Sequence, residues 1–585
     1  MHEFAVWAPR PRSVQLKLGE TTHAMCGPDE RGWWRAKVET AGHGTDYGFL
    51  LDDDPMVLPD PRSLWQPNCV HGMSRVYDHS CFAWTDQGWD ATPLGSSVHY
   101  ELHVGTFTAD GTFDSAIERL DYLAELGVTH IELMPIVAFA GDRGWGYDGV
   151  DLYAVTEDYG GPDALKRFVN ACHGRGLAVV LDVVYNHFGP VGNYTGRFGP
   201  YTTDRHRTPW GDAINFEGPD SEEVRRFFLD NALMWMRDFH VDGLRLDAIH
   251  EIFDRSAVHF LEQLSAEVKV LGTTLRRELV LIAESDLNDP RIVRTVEAGG
   301  FGIDAQWSDD FHHALFTVLH SEPGGYYSDF GKLEHFAKAL REVFVYDGGY
   351  SQYRSRRHGR PVDRLSAHHF LCFLQNHDQV GNRAQGERIE QLIGMERAKV
   401  AIGLVLTAPF VPLLFMGEEY AASTPFLYFA DHDEPEMAKM VSEGRKREFA
   451  AFGFTEKDVP DPEARETFDR SKLNWCETED GKHKEMLNWY RSLIQLRRNL
   501  PALNDGDLGH LNVRFDEKQG WLDIQRQGLG RGGVRILANL GEEPAQFDLR
   551  EGYRLELASS ASISASAQRI SLPPDSLAIL LSDET

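Results

Sequence analysis

The feature that most constrains the fold is a run of alternating strand-like and helix-like segments that begins near residue 98. Eight short apolar segments alternate with helical ones, and segments such as "LAVVLDVVYN" and "LVLIAES" are almost continuously apolar. Strands of this kind are buried on both faces, as in parallel sheets covered by helices. Eight such units predict a closed (β/α)8 TIM barrel with insertions. A doubly wound open sheet is the alternative, but no Gly-x-Gly-x-x-Gly follows the first strand.

Two β-rich regions flank the predicted barrel and make the chain multidomain. Near the N-terminus, "SVQLKL" alternates apolar and polar residues, and Pro and Gly recur frequently, which is typical of a β-sandwich. After the helix "EMLNWYRSLIQLRRNL", short alternating strands such as "WLDIQRQ" return. The predicted domains are an N-terminal β-sandwich (1–90), a barrel with insertions (91–484), and a connecting helix with a C-terminal β domain (485–585).

Charge and cysteine content exclude several classes of partner. The 585-residue chain carries a formal net charge of -31 without a basic stripe, which argues against nucleic acid or an anionic membrane as a partner. The sequence has no uninterrupted apolar run of about 18 residues, and its N-terminus lacks the pattern of a signal peptide. The six cysteines are scattered without a Cys-x-x-Cys pair, which argues against a zinc site or a disulfide framework. Together these features predict a cytoplasmic protein.

Polar residues end several of the predicted barrel strands, where the active sites of such barrels lie. These residues are Asp182, Asn186 and His187 after the third strand, Arg245 and Asp247 on the fourth, Glu284 after the fifth, and Asn376, His377 and Asp378 after the seventh. Alternation along the fourth strand puts Arg245 and Asp247 on one face. Burying charges there is costly unless they are paired. The sequence therefore predicts that carboxylates, an arginine and histidines converge at the barrel mouth.

Converging carboxylates suit the hydrolysis of a glycosidic bond. That reaction needs one carboxylate as nucleophile and one protonated carboxyl group that releases the leaving oxygen. Arg245 would keep Asp247 ionised by charge pairing, whereas burial and neighbouring negative charge would raise the pKa of Glu284. His187 and His377 are suited to donate hydrogen bonds to sugar hydroxyls.

Two other interpretations of these residues stay open at this point. In one, Arg245 and Asp247 form an ion pair that is only structural. In the other, the histidines and aspartates bind a metal, as in barrel amidohydrolases. Such a metal site requires His-x-His near the first strand, where "YELHVGTF" offers only His103. The joint occurrence of polar residues at four predicted strand ends favours catalysis over both.

The segments "DVVYNH", "GLRLDAIH", "IAES" and "LQNHD" resemble the four conserved regions of the α-amylase family of glycoside hydrolases, in order and on the expected strands. The resemblance implies three catalytic residues: Asp247 as nucleophile, Glu284 as general acid/base and Asp378 as the transition-state-stabilising aspartate. It also implies five substrate-binding residues: Tyr147 under the cleaved sugar, His187, Arg245 and His377 around it, and His250 on the leaving-group side.

Other segments narrow the resemblance within that family. The opening "FAVWAPRPRSVQLKL" is similar to the N-terminal sandwich of branching and debranching members. "LQNHDQVGNRAQGER" and "LLFMGEEYAASTPFLYFADH" are similar to members that remove trehalose from a trehalose-terminated maltooligosaccharide. This implies hydrolysis, with retention, of the α-1,4 bond next to the trehalose unit, and a pathway partner in the synthase that builds that unit. The alternative is a glycogen (1,4-α-glucan) branching enzyme; a debranching enzyme and a non-catalytic binding protein rank below it.

Two further predictions concern ions and surface charge. Many members of the family hold a calcium ion through the asparagine that corresponds to Asn186. No independent cluster of oxygen ligands accompanies it here, so no required metal or other cofactor is predicted. Glu418 and Glu419 in "FMGEEYA" are expected to be solvated surface charges.

Overall fold

The computed structural model describes residues 1–320, 324–450, 455, 458–528, 532–549, 552–566 and 568–582, and its strands fall into three regions. The N-terminal strands are β1 (His2–Trp7), β2 (Val14–Leu18), β3 (Thr21–Ala24), β4 (Trp33–Val38), β5 (Asp46–Leu51) and β6 (Ser74–Arg75). The central strands are β7 (His99–Leu102), β8 (His130–Leu133), β9 (Val137–Ala138), β10 (Asp151–Val155), β11 (Ala178–Val183), β12 (Thr202–Thr208), β13 (Gly211–Ile214), β14 (Gly243–Leu246), β15 (Val280–Ala283), β16 (Ala305–Trp307), β17 (Asp347–Ser351), β18 (Arg356–Gly359), β19 (Phe370–Phe373) and β20 (Val411–Phe415). The C-terminal strands are β21 (Leu511–Asp516), β22 (Trp521–Gln527), β23 (Gly533–Asn539), β24 (Ala545–Asp548), β25 (Tyr553–Ala558), β26 (Ser564–Ala565), β27 (Arg569–Leu572) and β28 (Ser576–Ser582).

Eight of the central strands form a closed parallel barrel. Their order around it is β7, β8, β11, β14, β15, β16, β19 and β20, and β20 pairs with β7 to complete the ring. Every residue in these eight strands is buried, which explains their apolar sequences. The predicted (β/α)8 barrel is confirmed, and its strands coincide with the eight segments identified in the sequence.

Helices separate successive barrel strands and cover the outside of the barrel. In chain order they are α1 (Val104–Phe107), α2 (Phe113–Ile117), α3 (Leu120–Leu126), α4 (Gly161–His173), α5 (Thr195–Phe198), α6 (Ser221–Asp238), α7 (Phe260–Leu275), α8 (Asp309–Leu319), α9 (Leu333–Glu342), α10 (His377–Gly381), α11 (Ile389–Ile393), α12 (Met395–Thr407), α13 (Pro435–Ala450), α14 (Arg465–Arg470) and α15 (Gly481–Asn499). Pro162 lies in the first turn of α4, where its missing N–H costs no helical hydrogen bond. No helix in the described part of the chain is long and apolar enough to cross a membrane.

The predicted β-rich regions at both ends are confirmed, while the domain boundaries stay predictions. At the N-terminus β1 pairs with β4, and β3, β2, β5 and β6 form a second sheet. Trp33 at the start of β4 donates from Nε1 to Glu223 of α6 at 3.0 Å, which fastens this region to the barrel. At the C-terminus β21, β22, β23, β28 and β25 form one sheet and β24, β27 and β26 another. Arg497 of α15 donates to the carbonyl oxygens of Leu406, Ala408 and Phe410.

The cysteines of this chain are not joined in disulfides. All six cysteines carry free thiols, and Cys172 and Cys372 are buried. The described residues contain no group of three or more His, Cys, Asp or Glu side chains that could hold a metal ion. That no metal is required stays a prediction.

The expectation that Glu418 and Glu419 are solvated is wrong. Both side chains are fully buried just beyond the C-terminal end of β20. Glu419 accepts hydrogen bonds from the hydroxyls of Tyr122, at 2.8 Å, and Tyr100, at 3.2 Å, and Glu418 accepts one from Tyr490 at 3.1 Å. Burial raises the pKa of Glu419 to about 7 and the pKa of Glu418 well above its usual range. The local sequence resembles a polar turn, but tyrosines from distant segments enclose it.

The buried Glu419 predicts a specific pH dependence of stability. A carboxyl group with a raised folded pKa retains its proton in the folded state while the unfolded chain releases it. The free energy of unfolding therefore falls as pH rises from about 4.5 to about 7. Glu419→Gln removes this ionisation and keeps an acceptor for both tyrosines. The variant should exceed the wild type in stability by on the order of 2 kcal/mol at pH 8.

Chemical denaturation at pH 5 and pH 8 measures this difference. The advantage of Glu419→Gln should disappear at pH 5, where both proteins carry a neutral group. Glu466→Gln, at an exposed position on α14, is the matched control and should show no such dependence. A Glu419→Gln variant that is less stable than the wild type at pH 8 would contradict the assignment.

Candidate active site

One arginine joins three carboxylates at the mouth of the barrel. Nη1 of Arg245 donates to Oδ2 of Asp182 at 2.7 Å and to Oδ1 of Asp247 at 2.9 Å. Nη2 of the same side chain donates to Oε2 of Glu284 at 2.6 Å. The predicted pairing of Arg245 with Asp247 is therefore present. The sequence did not predict that the same guanidinium also binds Glu284 and Asp182.

The register of the barrel strands brings these groups together. Asp182 on β11 lies opposite Arg245 on β14, and Arg245 lies opposite Ile282 on β15. Asp247 and Glu284 each follow the last residue of their strand, so they lie one layer above, at the carboxyl ends where barrel active sites form. Parallel pairing of these strands thus places three carboxylates around the guanidinium of Arg245.

Arg245 is fully buried and is stabilised as a cation by its neighbours. Its guanidinium lies 4.2 Å from the centroid of the Trp307 ring, a cation–π contact. Burial would lower the pKa of Arg245, but the surrounding carboxylates, Asp182 and Glu284 foremost, hold it well above its usual value. Burial raises the pKa of Asp182 to about 7, although Arg245 opposes this shift. A positive charge is therefore fixed beneath the site.

Both oxygens of Asp247 are engaged in hydrogen bonds. Oδ1 accepts from Arg245, and Oδ2 accepts from Nδ2 of Asn186 at 2.8 Å. The same Asn186 amide donates to the main-chain carbonyl of Asp247 at 2.9 Å. Hydrogen bonds to both oxygens fix the orientation of the carboxylate. The asparagine that the resemblance linked to calcium thus positions Asp247 in this chain.

A strained turn holds Glu284 next to Asp247. Ala248 has a φ of 38°, in the left-handed region that residues with a Cβ seldom adopt. In this conformation its amide N–H donates to Oε2 of Glu284 at 3.0 Å, and Ile249 donates to the Glu284 carbonyl oxygen at 3.0 Å. The Glu284 side chain is 18% exposed, compared with 11% for Asp247. The backbone after the fourth strand therefore positions both carboxyl groups.

Glu101 on β7 is a site residue that the sequence interpretation missed. Its Oε1 accepts from Nδ1 of His377 at 2.5 Å, and its Oε2 accepts from the His377 amide at 2.9 Å. The hydroxyl of Tyr147 donates to Asp182 at 2.6 Å and therefore accepts from Nε2 of His377 at 2.8 Å. Both ring nitrogens of His377 thus donate, which requires the imidazolium form.

The pKa of His377 agrees with that assignment. Burial disfavours the charged ring, but Glu101 and Asp378 outweigh burial and raise the pKa of His377 to about 9. Nε2 of His377 lies 3.6 Å from Oδ1 of Asp378, whose side chain is 38% exposed. Nδ2 of Asn382 donates to the same oxygen at 3.2 Å. Asp378 is thus held at the edge of the site with access to a ligand.

A cavity of about 560 Å³ lies above these groups, within the usual size range of ligand pockets. The predicted site residues among its walls are Tyr147, His187, Asp247, His250, Glu284, His377 and Asp378, with Arg245 buried beneath them. Aromatic walls come from Trp145, Trp210, Tyr428 and Phe429. Trp210 is 51% exposed and stacks on His187 with ring centroids 4.9 Å apart. The structure therefore brings all eight predicted residues together.

A second cavity of about 300 Å³ adjoins the first. Glu284, Asp378 and Asn382 line both cavities, whereas Asp247 lines only the first as the described residues outline them. Arg354, which lines the second cavity, pairs with Asp286 from the loop after β15. Two compartments thus meet at Glu284 and Asp378.

Comparisons with known proteins agree with this geometry. A family model described as the alpha amylase catalytic domain matches residues 77–205, and a domain of unknown function, DUF3459, matches residues 509–579. The malto-oligosyltrehalose trehalohydrolase of Rhizobium sp. (strain M-11) is 47% identical over 584 residues, covering 99% of this chain and 97% of the relative. That of Saccharolobus solfataricus is 45% identical, covering 94% of this chain and 97% of the relative.

The chain belongs to the malto-oligosyltrehalose trehalohydrolase family. A Salmonella typhimurium protein described as an alpha amylase has a crystal structure with a TM-score of 0.91 and 39% identity, covering 99% of this chain and 97% of that one. A pullulanase from Anoxybacillus sp. LM18-11 has a TM-score of 0.74 at 18% identity, covering 99% of this chain and 86% of that one, and shares the fold. A 1,4-alpha-glucan branching enzyme from Geobacillus stearothermophilus is 29% identical over 459 residues, covering 71% of this chain and 67% of the relative. The predicted α-amylase resemblance is confirmed.

The pairing of Glu101 with His377 predicts a shift in the pH profile of this trehalohydrolase-family chain. Wild-type His377 should retain its proton until the pH approaches about 9. Glu101→Gln removes the principal group that opposes burial, so the pKa of His377 should fall well below 9. The alkaline limb of kcat/KM should then move to lower pH.

Histidine NMR titration and the pH profile of kcat/KM test this prediction together. Glu125→Gln, at an exposed position on α3, is the control and should leave both curves unchanged. An unchanged His377 titration midpoint in Glu101→Gln would show that Glu101 does not set the charge of the ring.

Proposed function

We propose that the chain is a retaining glycoside hydrolase that cleaves the α-1,4-glucosidic bond next to the terminal trehalose of maltooligosyltrehalose. The products are trehalose and a maltooligosaccharide. The observation that carries the proposal is the Arg245 guanidinium, which joins Asp247 and Glu284 at the junction of two cavities. Relatives at 43–50% identity that carry the trehalohydrolase name support the choice of substrate.

Asp247 acts as the nucleophile in the first step. Its carboxylate attacks the anomeric carbon, and a covalent glycosyl-enzyme forms as the bond to the leaving oxygen breaks. Glu284 donates its proton to that oxygen, so the leaving sugar departs as an alcohol. Arg245 and Asn186 orient Asp247 for this attack, because each donates a hydrogen bond to one of its oxygens.

Water completes the reaction in the second step. Glu284, now ionised, takes a proton from the water that attacks the anomeric carbon, and the bond to Asp247 breaks. Asp247 attacks one face of that carbon and water then attacks the opposite face. Each step inverts the configuration, so the original configuration is retained. One planar guanidinium binds both carboxyl groups and so keeps them close together, and a short separation of the two is what a retaining mechanism requires.

The remaining predicted residues surround the sugar that undergoes reaction. Tyr147 and His377 stack on each other with centroids 5.2 Å apart and form the base of the first cavity. The Asp378 carboxylate stabilises the positive charge that develops on the sugar ring. His377, whose two ring nitrogens donate to Glu101 and Tyr147, fixes the position of Tyr147. His187, stacked on Trp210, forms another part of the cavity wall.

The two cavities separate the two parts of the substrate. The maltooligosaccharide occupies the cavity that contains the nucleophile, because its anomeric carbon bonds to Asp247. The leaving trehalose occupies the second cavity, because the acid Glu284 lines both. His250 lines the first cavity beside Asp247, and its Nδ1 accepts from the amide of Asp286, which lines the second cavity, at 3.4 Å. This contact between the two cavities supports the assignment of His250 to the leaving-group side.

We further propose the cellular setting that the sequence predicted. The pathway partner is the synthase that creates the terminal trehalose, since this substrate must be made before it is cleaved. A cytoplasmic location is supported by the four exposed free cysteines, which a reducing compartment preserves. The acidic balance of the chain argues against nucleic acid as a partner.

Product analysis on three substrates tests the function. We expect free trehalose from a trehalose-terminated maltohexaose analogue and much slower cleavage of maltohexaose and amylose. NMR of the first turnovers should show the α-anomer at the new reducing end. New α-1,6 branches in amylose would instead support the alternative, a glycogen branching enzyme, which shares the carboxylates but transfers the glycosyl group to another sugar. An initial β-anomer would contradict retention.

A further inference from the structure

Helix α13 (Pro435–Ala450) forms one wall of the first cavity. It follows the last barrel strand in the chain, and its residues Val441, Arg445 and Glu448 line the cavity together with Asp247. Their spacing of four and three residues puts them on one face of the helix. The second cavity, as the described residues outline it, includes none of the three. This face of α13 therefore belongs to the side of the site that holds the nucleophile.

A series of ring contacts separates Arg445 from the reaction centre. Trp145 packs edge-on against His377 with centroids 5.5 Å apart, and Tyr428 packs edge-on against Trp145 at 5.2 Å. The Arg445 guanidinium lies 5.3 Å from the centroid of the Tyr428 ring. Arg445 thus lies two aromatic rings beyond His377. A glucose unit that contacts Arg445 is therefore farther along the maltooligosaccharide than the unit attached to Asp247.

Arg445 is fixed in place and paired with an accessible carboxylate. Its Nη2 donates to the Gly381 carbonyl oxygen at 2.6 Å, its guanidinium lies 4.6 Å from the Phe449 ring centroid, and its side chain is 9% exposed. Nη1 lies 3.4 Å from Oε2 of Glu448, whose side chain is 55% exposed. The pair presents guanidinium donors beside a carboxylate acceptor, and sugar hydroxyls both accept and donate hydrogen bonds.

We propose that Arg445 and Glu448 are specificity-determining residues that bind a glucose unit of the maltooligosaccharide beyond the one attached to Asp247. This inference rests on the proposed function, because it takes the first cavity to hold the maltooligosaccharide part of the substrate. Through this pair, α13 makes the enzyme favour trehalose-terminated substrates with several glucose units over those with one.

Chain-length dependence of kcat/KM tests the proposal. Glu448→Gln should lower kcat/KM for maltotetraosyltrehalose by about tenfold, because a charge-assisted hydrogen bond to a hydroxyl is weakened. The same variant should change kcat/KM for glucosyltrehalose by less than about twofold, since that substrate does not reach α13. Arg445→Lys should lower kcat/KM for maltotetraosyltrehalose more than Glu448→Gln does, again with little effect on glucosyltrehalose. Glu443→Gln, an exposed carboxylate on α13 outside the cavity wall, is the matched control and should leave both values unchanged.

Two results would overturn the proposal. Equal losses on the long and short substrates would mean that Glu448 acts at the reaction centre or on the fold, and no loss on either would mean that it does not contact substrate. Arg445 also holds the Gly381 carbonyl, so circular dichroism must establish that Arg445→Lys is folded; Glu448→Gln decides the question if it is not. Failure of the unmodified protein to release trehalose would contradict the proposed function instead.

Discussion

The buried guanidinium of Arg245 is the interaction on which the site depends. A fully buried cation is tolerated only with compensating charge, and here Asp182, Asp247 and Glu284 supply it from three adjacent strands. The same contacts orient the nucleophile and the acid/base of the proposed reaction. Stability and chemistry are therefore linked, because removing Arg245 would leave three carboxylates close together without a counterion. The guanidinium also packs on the face of the Trp307 ring, 4.2 Å from its centroid.

Buried acids beyond the catalytic set extend this arrangement around the barrel. Glu101 on β7 keeps His377 protonated, so the cavity that contains Asp247 has one positive charge in its wall, on His377, and another beneath it, on Arg245. Farther out, burial between tyrosines from β7 and α3 raises the pKa of Glu419 to about 7. These groups lie in low-polarity surroundings, where each charge has a large effect on its neighbours. The barrel positions the site through long-range polar contacts as well as apolar packing.

The barrel, its eight strands and the convergence of Arg245, Asp247 and Glu284 at its mouth could be predicted, because strand alternation and strand ends are local properties. Tyr147 and His250 were predicted only through the resemblance to the α-amylase family, and the roles of the site residues stay predictions. Glu101 was missed although "VHYELHV" contains a charge in a buried strand, the same kind of anomaly that drew attention to Arg245. Its partner lies 276 residues away and becomes adjacent only when the ring closes between β20 and β7. Glu419 was predicted wrongly for the same reason, since Tyr100 and Tyr122 are also distant in sequence. Local sequence patterns do not show which distant segments become neighbours when the barrel closes.

Trapping of the covalent intermediate tests the central claim most directly. In Glu284→Gln, a substrate with a leaving group that needs no proton, such as α-maltosyl fluoride, should still glycosylate the nucleophile, while the second step should be slowed because no base activates water. Intact-mass measurement should show one maltosyl adduct, and peptide mapping should place it on Asp247. An adduct on another residue, or steady release of β-maltose without any adduct, would contradict the assignment of Asp247 as the nucleophile held by Arg245.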